Sequence, residues 1–135
     1  MSESHSSRQS QVDDDIPRFV DKLRSGKAIL FRPRGSSMSP ALADGTIVMI
    51  DPCTRLPAVY EIVLAHLDGH VVLHRVMHVE GGRVWLMGDA HRHSEGPLPL
   101  DRIVGLARLE RPHGWQAWRM KLRRAAFLLL TLGSR

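Results

Sequence analysis

Between residues 28 and 109, short runs of valine, isoleucine and leucine alternate with glycine turns, and a chain with this pattern has few ways to fold. Asp68-Gly69 and Gly81-Gly82 each separate two apolar runs, which is typical of β-hairpins. Many short strands at close spacing predict a small, mainly β domain, either a barrel or a sandwich. The predicted strands are residues 28–33, 46–51, 60–67, 70–79, 83–88 and 102–109.

Different patterns flank this region. Residues 1–14 are polar and acidic, and we expect them to be disordered. Apolar residues at helical spacing predict a short helix over residues 16–25, capped by Asp15 and ended by Gly26. We therefore divide the chain into a tail (1–14), a β domain (15–110) and a basic C-terminal helix (111–135).

Length and composition exclude several classes of protein. The 135 residues suit one domain with one core, and the single cysteine, Cys53, rules out an intrachain disulfide. Cys53 lies in a predicted turn and is expected to be an ordinary thiol. No apolar run reaches the roughly 18 residues that cross a membrane, and the N-terminus is unlike a secretory signal. The sequence therefore predicts a cytoplasmic protein.

The C-terminal segment carries most of the positive charge. Residues 108–135 hold seven lysines or arginines and one acid, whereas residues 1–15 hold one arginine and four acids. Trp115, Trp118, Leu122 and Ala125 recur at helical spacing around the basic cluster. Such a helix could lie on an anionic membrane surface, at the inner face of the membrane, through residues 113–133. Packing against the β domain or a partner protein is the equal alternative.

Histidines are frequent in the predicted strand 70–79. His70, His74 and His78 share one face of it, with His74 between two valines. Four residues of strand span about 13 Å, so these histidines are too far apart to bind one metal ion. His91 and His93 could meet in a loop but lack a third ligand. We expect no metal and no cofactor.

An ordered set of short motifs runs through the β region. Residues 35–40 read GSSMSP, followed by DG at 44–45, LHRV at 73–76, MGDA at 87–90 and IVG at 103–105. This set resembles the signal peptidase family, whose fold is shared by the self-cleaving SOS repressors. The His-Arg dipeptide is similar to the branch typified by the endoplasmic reticulum and archaeal enzymes, where histidine replaces a lysine base.

The resemblance implies a small signal-peptidase-like β-barrel and a serine peptidase site. Ser37 would be the nucleophile and His74 the general base, since a serine hydroxyl needs a base to become reactive. Either Asp89 or Glu95 would orient His74, and the sequence leaves that choice open. The resemblance also implies a structural motif, Arg75 and Gly88, and a turn that presents the serine and its oxyanion donors, made by Gly35, Ser36, Met38 and Pro40.

The expected activity is cleavage of a leader or signal-like segment from a peptide or protein substrate, with small residues before the cut. Two departures from the family pattern favour an alternative. Gly45-Thr46 and Tyr60-Glu61 stand where the family has Gly-Asp, so the scaffold could bind a peptide or partner without cutting it.

We do not expect nucleic acid as a partner, because no helix-turn-helix pattern precedes the β region. No Ala-Gly or Cys-Gly dipeptide offers a self-cleavage site.

Overall fold

The computed structural model of the chain describes residues 18–33, 35, 38, 41–42, 45–91, 93–109 and 114–132. Within these residues, seven strands form one sheet, with a helix before it and another after it. The strands are β1 (Ile29–Phe31), β2 (Val48–Pro52), β3 (Ile62–Leu67), β4 (His70–Glu80), β5 (Arg83–Met87), β6 (Ser94–Pro99) and β7 (Ile103–Ala107). Residues 18–24 form helix α1, and Trp115–Phe127 form α2, which continues as a π-helical turn over Leu128–Leu132. A 3-10 turn, Leu100–Arg102, joins β6 to β7.

The strands follow the order β1-β2-β7-β3-β4-β5-β6, and every neighbouring pair is antiparallel. The prediction of a mainly β fold is confirmed. The predicted closure into a barrel is not seen in the strand pairing, because β1 and β6 remain edge strands of an open sheet among the described residues. The sheet therefore offers two edges.

One strand, β6, was not predicted. Its sequence, SEGPLP, contains a glycine and two prolines, which indicate a loop when no partner strand is known. β6 pairs with β5 on one side only, and proline is tolerated at an edge because the missing N–H costs no ladder bond there. The other six strands lie where the apolar runs predicted them, within a few residues.

Strand β3 is buried on both faces. Ile62 and Leu64 belong to a hydrophobic cluster that includes Val20 and Leu23 of α1, whereas Val63 and Ala65 belong to a second cluster. Because successive strand residues point to opposite faces, α1 covers one face of β3. The buried members of the second cluster all come from strands, so the sheet curls over its own side chains on that face.

The turns agree with the glycine pattern. Gly81 and Gly82, between the paired residues Glu80 and Arg83, have φ of 59° and 74°. Two consecutive positive φ values define the turn type that best fits a two-residue hairpin, and glycine adopts them at little cost. The stop predicted at Gly26 also agrees, since the described part of α1 ends at residue 24. Its expected cap, Asp15, and the tail 1–14 lie outside the described residues.

A bulge interrupts β4. The register between β4 and β5 shifts between Val76 and His78. Strict alternation predicted His78 on the face of Val76, but Val79 packs with the Val76 cluster instead. A bulge adds one residue on one strand and so exchanges the faces beyond it. The predicted alternation therefore holds for His74 and fails after Val76.

Helix α2 packs on the sheet through one side. Met120 and Phe127 are buried, and Phe127 joins Met77, Trp85 and Met87 in a third hydrophobic cluster. The predicted stripe on the other side, with Trp115 at one end, is exposed. No helix among the described residues is long and apolar enough to cross a membrane.

Candidate active site

His74 and Glu95 form the pair from which the candidate site is built. The His74 ring nitrogen Nδ1 lies 3.1 Å from both carboxylate oxygens of Glu95. The side chain of His74 is 6% exposed and that of Glu95 is 31% exposed. A carboxylate that accepts the Nδ1 proton fixes the neutral imidazole in one tautomer and leaves the lone pair on Nε2. The pair can therefore accept a proton at Nε2.

Strand register explains why Glu95 reaches His74. Arg75 pairs with Met87, so the residue opposite His74 is Gly88, just after the end of β5. Leu86 pairs with Val76 on one side and with Glu95 on the other, so the row of Glu95 lies two residues along the strands from the row of His74 and Gly88. The sequence could not choose between Asp89 and Glu95 because this choice depends on how three strands pair.

Asp89 contacts Arg75 instead of His74. Its two carboxylate oxygens accept hydrogen bonds from Nε and Nη2 of Arg75, both at 2.8 Å. Both side chains are only 5% exposed, and the third guanidinium nitrogen of Arg75 donates to the carbonyl of Tyr60 at 2.8 Å. A bidentate pair of this kind fixes both side chains. Arg75 thereby ties Asp89 to the segment before β3.

Met38 connects the serine motif to the same pair. The backbone N–H of Asp89 donates to Sδ of Met38 at 3.4 Å, and Met38 is 3% exposed in the cluster with α1. The N–H of Leu42 donates to the Met38 carbonyl at 2.8 Å, which closes one turn of chain after the motif. The structure therefore fixes the residue that follows Ser37.

The remaining residues of the serine motif are only partly described. Gly35 has φ of 82°, a conformation that favours glycine. Ser36, Ser37 and Pro40 lie outside the described residues, so their expected roles stay predictions.

Tyr60 and Glu61 occupy the positions where the resembling family has Gly-Asp. Tyr60 has φ of 77° and is the one non-glycine residue with positive φ in the described part of the chain. Glu61 accepts a hydrogen bond from the Ala58 N–H at 2.7 Å and forms a bidentate pair with Arg55. The backbone thus keeps a glycine-type turn at Tyr60, and the longer acid closes it.

Arg123 of α2 holds the turn between β5 and β6. Its Nη2 donates to the carbonyls of Gly88 and His91, at 3.2 and 2.9 Å, and Nη1 lies 3.7 Å from Asp89. Desolvation lowers the pKa of Arg123, partly offset by the nearby Asp89 carboxylate. The basic cluster of the sequence pointed to an outside partner and gave no sign that this arginine binds the site loop.

His91 is a second residue that the sequence did not assign to the site. Its ring meets that of His74 edge to face, with centroids 5.7 Å apart. The sequence analysis considered His91 only as half of a pair with His93. In the described part of the chain, no group of three or more histidine, cysteine, aspartate or glutamate side chains is arranged to hold a metal.

A cavity of about 220 Å³ lies between the Arg75–Asp89 pair and α2. Ala41 stands on one side of it, and Trp115, Gln116, Arg119 and Met120 of α2 complete it. The opening combines apolar walls with guanidinium groups, as ligand-binding clefts commonly do.

The family comparison covers this entire arrangement except α2. A family model described as Peptidase S24-like matches residues 2–107. The matched range contains all seven strands and each candidate residue from Gly35 to Glu95. A search of curated proteins finds no match.

Proposed function

The chain belongs to the Peptidase S24-like family, and from this premise we propose that it is a serine endopeptidase with Ser37 as nucleophile and His74 as general base. Family membership supports a peptidase-like scaffold. The observation that carries the catalytic proposal is the buried His74, held 3.1 Å from the Glu95 carboxylate. A histidine with an orienting acid is the arrangement that activates a serine in unrelated peptidases.

The reaction follows from the orientation of the ring. The Ser37 hydroxyl attacks a peptide carbonyl carbon while its proton moves to Nε2 of His74. The C–N bond then breaks, and the same proton passes to the leaving amine. Water then attacks the acyl-serine and gives a proton to Nε2 of His74. His74 returns this proton to the Ser37 oxygen as the ester bond breaks. Glu95 keeps the Nδ1 proton in place and does not itself take it up.

Asp89 has a positioning role in this proposal. Its carboxylate is occupied by Arg75, and its backbone N–H by Met38. We assign it to holding the serine segment against β4. The backbone N–H of Ser37 would stabilise the oxyanion, since position 35 is glycine and offers no hydroxyl.

The substrate class follows from the resemblance to signal peptidases with a histidine base. We propose a leader or signal-like segment with small residues before the cut. The peptide would bind extended along an edge of the sheet and add main-chain hydrogen bonds. β1 is the better edge, because it leads into the serine motif and β6 contains two prolines without N–H donors.

Cleavage of a library of extended peptides, read by mass spectrometry, tests the proposal. Ser39 lies two residues after Ser37, has no assigned role and provides a matched control. We expect the Ser39→Ala variant to yield the products of the unaltered protein, and Ser37→Ala to yield none. Equal products from the Ser37→Ala variant would remove Ser37 from the role. Peptides that bind but stay intact would favour the alternative, a binding module on a peptidase scaffold.

A further inference from the structure

The side of α2 that faces away from the sheet is apolar. Trp115, Trp118 and Leu122 are 72%, 65% and 57% exposed, and their spacing of three and four residues aligns them along one side of the helix. Ala125 and Ala126 continue the exposed stripe, and Leu129 and Leu130 beyond the helix are 74% and 83% exposed. Large apolar side chains in one exposed patch indicate an interaction surface.

Contacts on the opposite side prevent this stripe from turning inward. Phe127 is buried against β4 and β5, and Arg123 binds the carbonyls of the Gly88–His91 turn. Arg124 donates to the Met77 carbonyl at 2.9 Å. These contacts fix the rotation of the helix, and the stripe faces away from the described part of the sheet.

The positive charges beside the stripe indicate what kind of surface it binds. The described segment 114–132 contains four arginines or lysines and no acid. Two of these cations bind the sheet, and the other two, Arg119 and Lys121, are exposed. Because successive helix residues are 100° apart around the axis, Arg119 and Lys121 lie on either side of the apolar stripe. A second copy of the chain on this face would bring like charges together, whereas an anionic surface would satisfy them.

We propose that the outward face of α2 docks on an anionic lipid bilayer. A helix with tryptophan and leucine on one side and flanking cations is suited to the boundary between headgroups and acyl chains. Trp118 and Leu122 enter this boundary, and Lys121 meets the lipid phosphates. Trp115 and Arg119 lie at the end of this face that also lines the cavity beside Arg75 and Asp89. Because Arg123 holds the Gly88–His91 turn from the other side of the helix, docking brings the candidate site close to the membrane surface.

Vesicle flotation and tryptophan emission test this docking with the full chain. The vesicles consist of phosphatidylcholine alone or mixed with phosphatidylglycerol. We expect flotation with the mixed vesicles and much less with the neutral ones, and weaker binding as salt rises from about 0.1 to about 1 M. The emission should shift to shorter wavelength on binding. Trp85 is 3% exposed and already buried, so the shift reports on Trp115 and Trp118.

Two variants separate the apolar and the charged contributions. Trp118→Ser combined with Leu122→Ser should abolish flotation, and Lys121→Glu should lower the partition coefficient about fivefold or more. Leu30→Ser with Ile47→Ser is the matched control, since these residues are 61% and 55% exposed outside α2, and it should float normally. Circular dichroism verifies that each variant is folded.

Equal binding to neutral and anionic vesicles, or no binding to either at low salt, would overturn the proposal. Dimerisation in sedimentation that is lost in the Trp118→Ser, Leu122→Ser variant would overturn it too, by assigning the face to a second copy. None of these results depends on cleavage, so the test stands apart from that of the peptidase proposal.

Discussion

The backbone N–H of Asp89 donates a hydrogen bond to the sulfur of Met38, 51 residues away in the sequence. The carboxylate of the same aspartate is bound by Arg75 on β4. One residue thus connects the serine motif to the strand that carries His74. Asp89 thus contacts Arg75 and Met38, whereas Glu95 contacts His74.

Asp89→Asn should destabilise the protein by about 3–5 kcal/mol, because it leaves the buried Arg75 guanidinium without a counter-charge. Urea unfolding measures the change. Asp101→Asn, at an exposed acid, is the control and should change stability by less than about 0.5 kcal/mol. Arg75→Met added to Asp89→Asn should cost less than the sum of the two single changes; additive losses would contradict the coupling.

Glu95→Gln should lower kcat by about 10²–10⁴ and leave the folding stability nearly unchanged, since Glu95 is partly exposed and acts through His74. Kinetics on a peptide that the unaltered protein cleaves provide kcat and KM, and we expect KM to change little. Nitrogen chemical shifts of the His74 ring should show the Nδ1–H tautomer in the unaltered protein and its loss in Glu95→Gln. An unchanged tautomer together with unchanged kcat would leave Glu95 without the orienting role.

Tyr60 offers a test of backbone strain. A residue with a side chain costs about 1–2 kcal/mol in the left-handed region, and glycine does not. The free energy of unfolding should therefore be about 1 kcal/mol higher for Tyr60→Gly than for Tyr60→Ala, although alanine is the more stabilising residue at ordinary positions. Thermal or urea unfolding of Tyr60→Gly and Tyr60→Ala measures this difference, and comparing the two removes the effect of the lost ring. Greater stability of the alanine variant would contradict the positive φ.

Cys53 should react slowly with iodoacetamide. Burial raises the pKa of its thiol above the usual value, and the positive charge of Arg55 opposes this shift. The thiolate is the nucleophile, so alkylation of the folded protein should rise at higher pH than alkylation of the urea-unfolded chain. Because the pKa of Cys53 is higher in the folded protein, the thiol ionises first in the unfolded chain. The stability that Cys53 contributes is therefore fully present below the unfolded pKa and is lost as pH rises through the folded pKa.

Mass spectrometry measures this alkylation at a single site, because the chain has one cysteine. The urea-unfolded chain is the control for intrinsic reactivity. Identical rate profiles for the folded and unfolded protein would show that Cys53 is not shielded.

The local pattern of the sequence predicted most of the fold. Period-two alternation and glycine turns identify six strands because each signal lies within a few residues. β6 was missed because its strand character comes from pairing with β5, while its own prolines disfavour it. The predicted face of His78 was wrong for a related reason, since a bulge depends on how two strands pair.

Less of the candidate site than of the fold could be predicted from the sequence. Residue types and motif order were enough to select His74 and two candidate acids. Assigning Asp89 to Arg75 and Glu95 to His74 needs the register of β4, β5 and β6, which no local pattern contains. The sequence left open whether the basic helix binds a membrane, a partner or the β domain, because the sign of a charge is visible in a sequence but its direction in the fold is not.

The Arg123 contacts have a consequence for where this domain ends. The family match stops at residue 107, yet the turn that carries His91 is bound from outside that range by a residue of α2. A chain cut at 107 would keep all seven strands and lose the cover over Met77, Trp85 and Met87. The stretch that the family model matches and the stretch that packs together are thus different lengths of chain, and α2 belongs to the second.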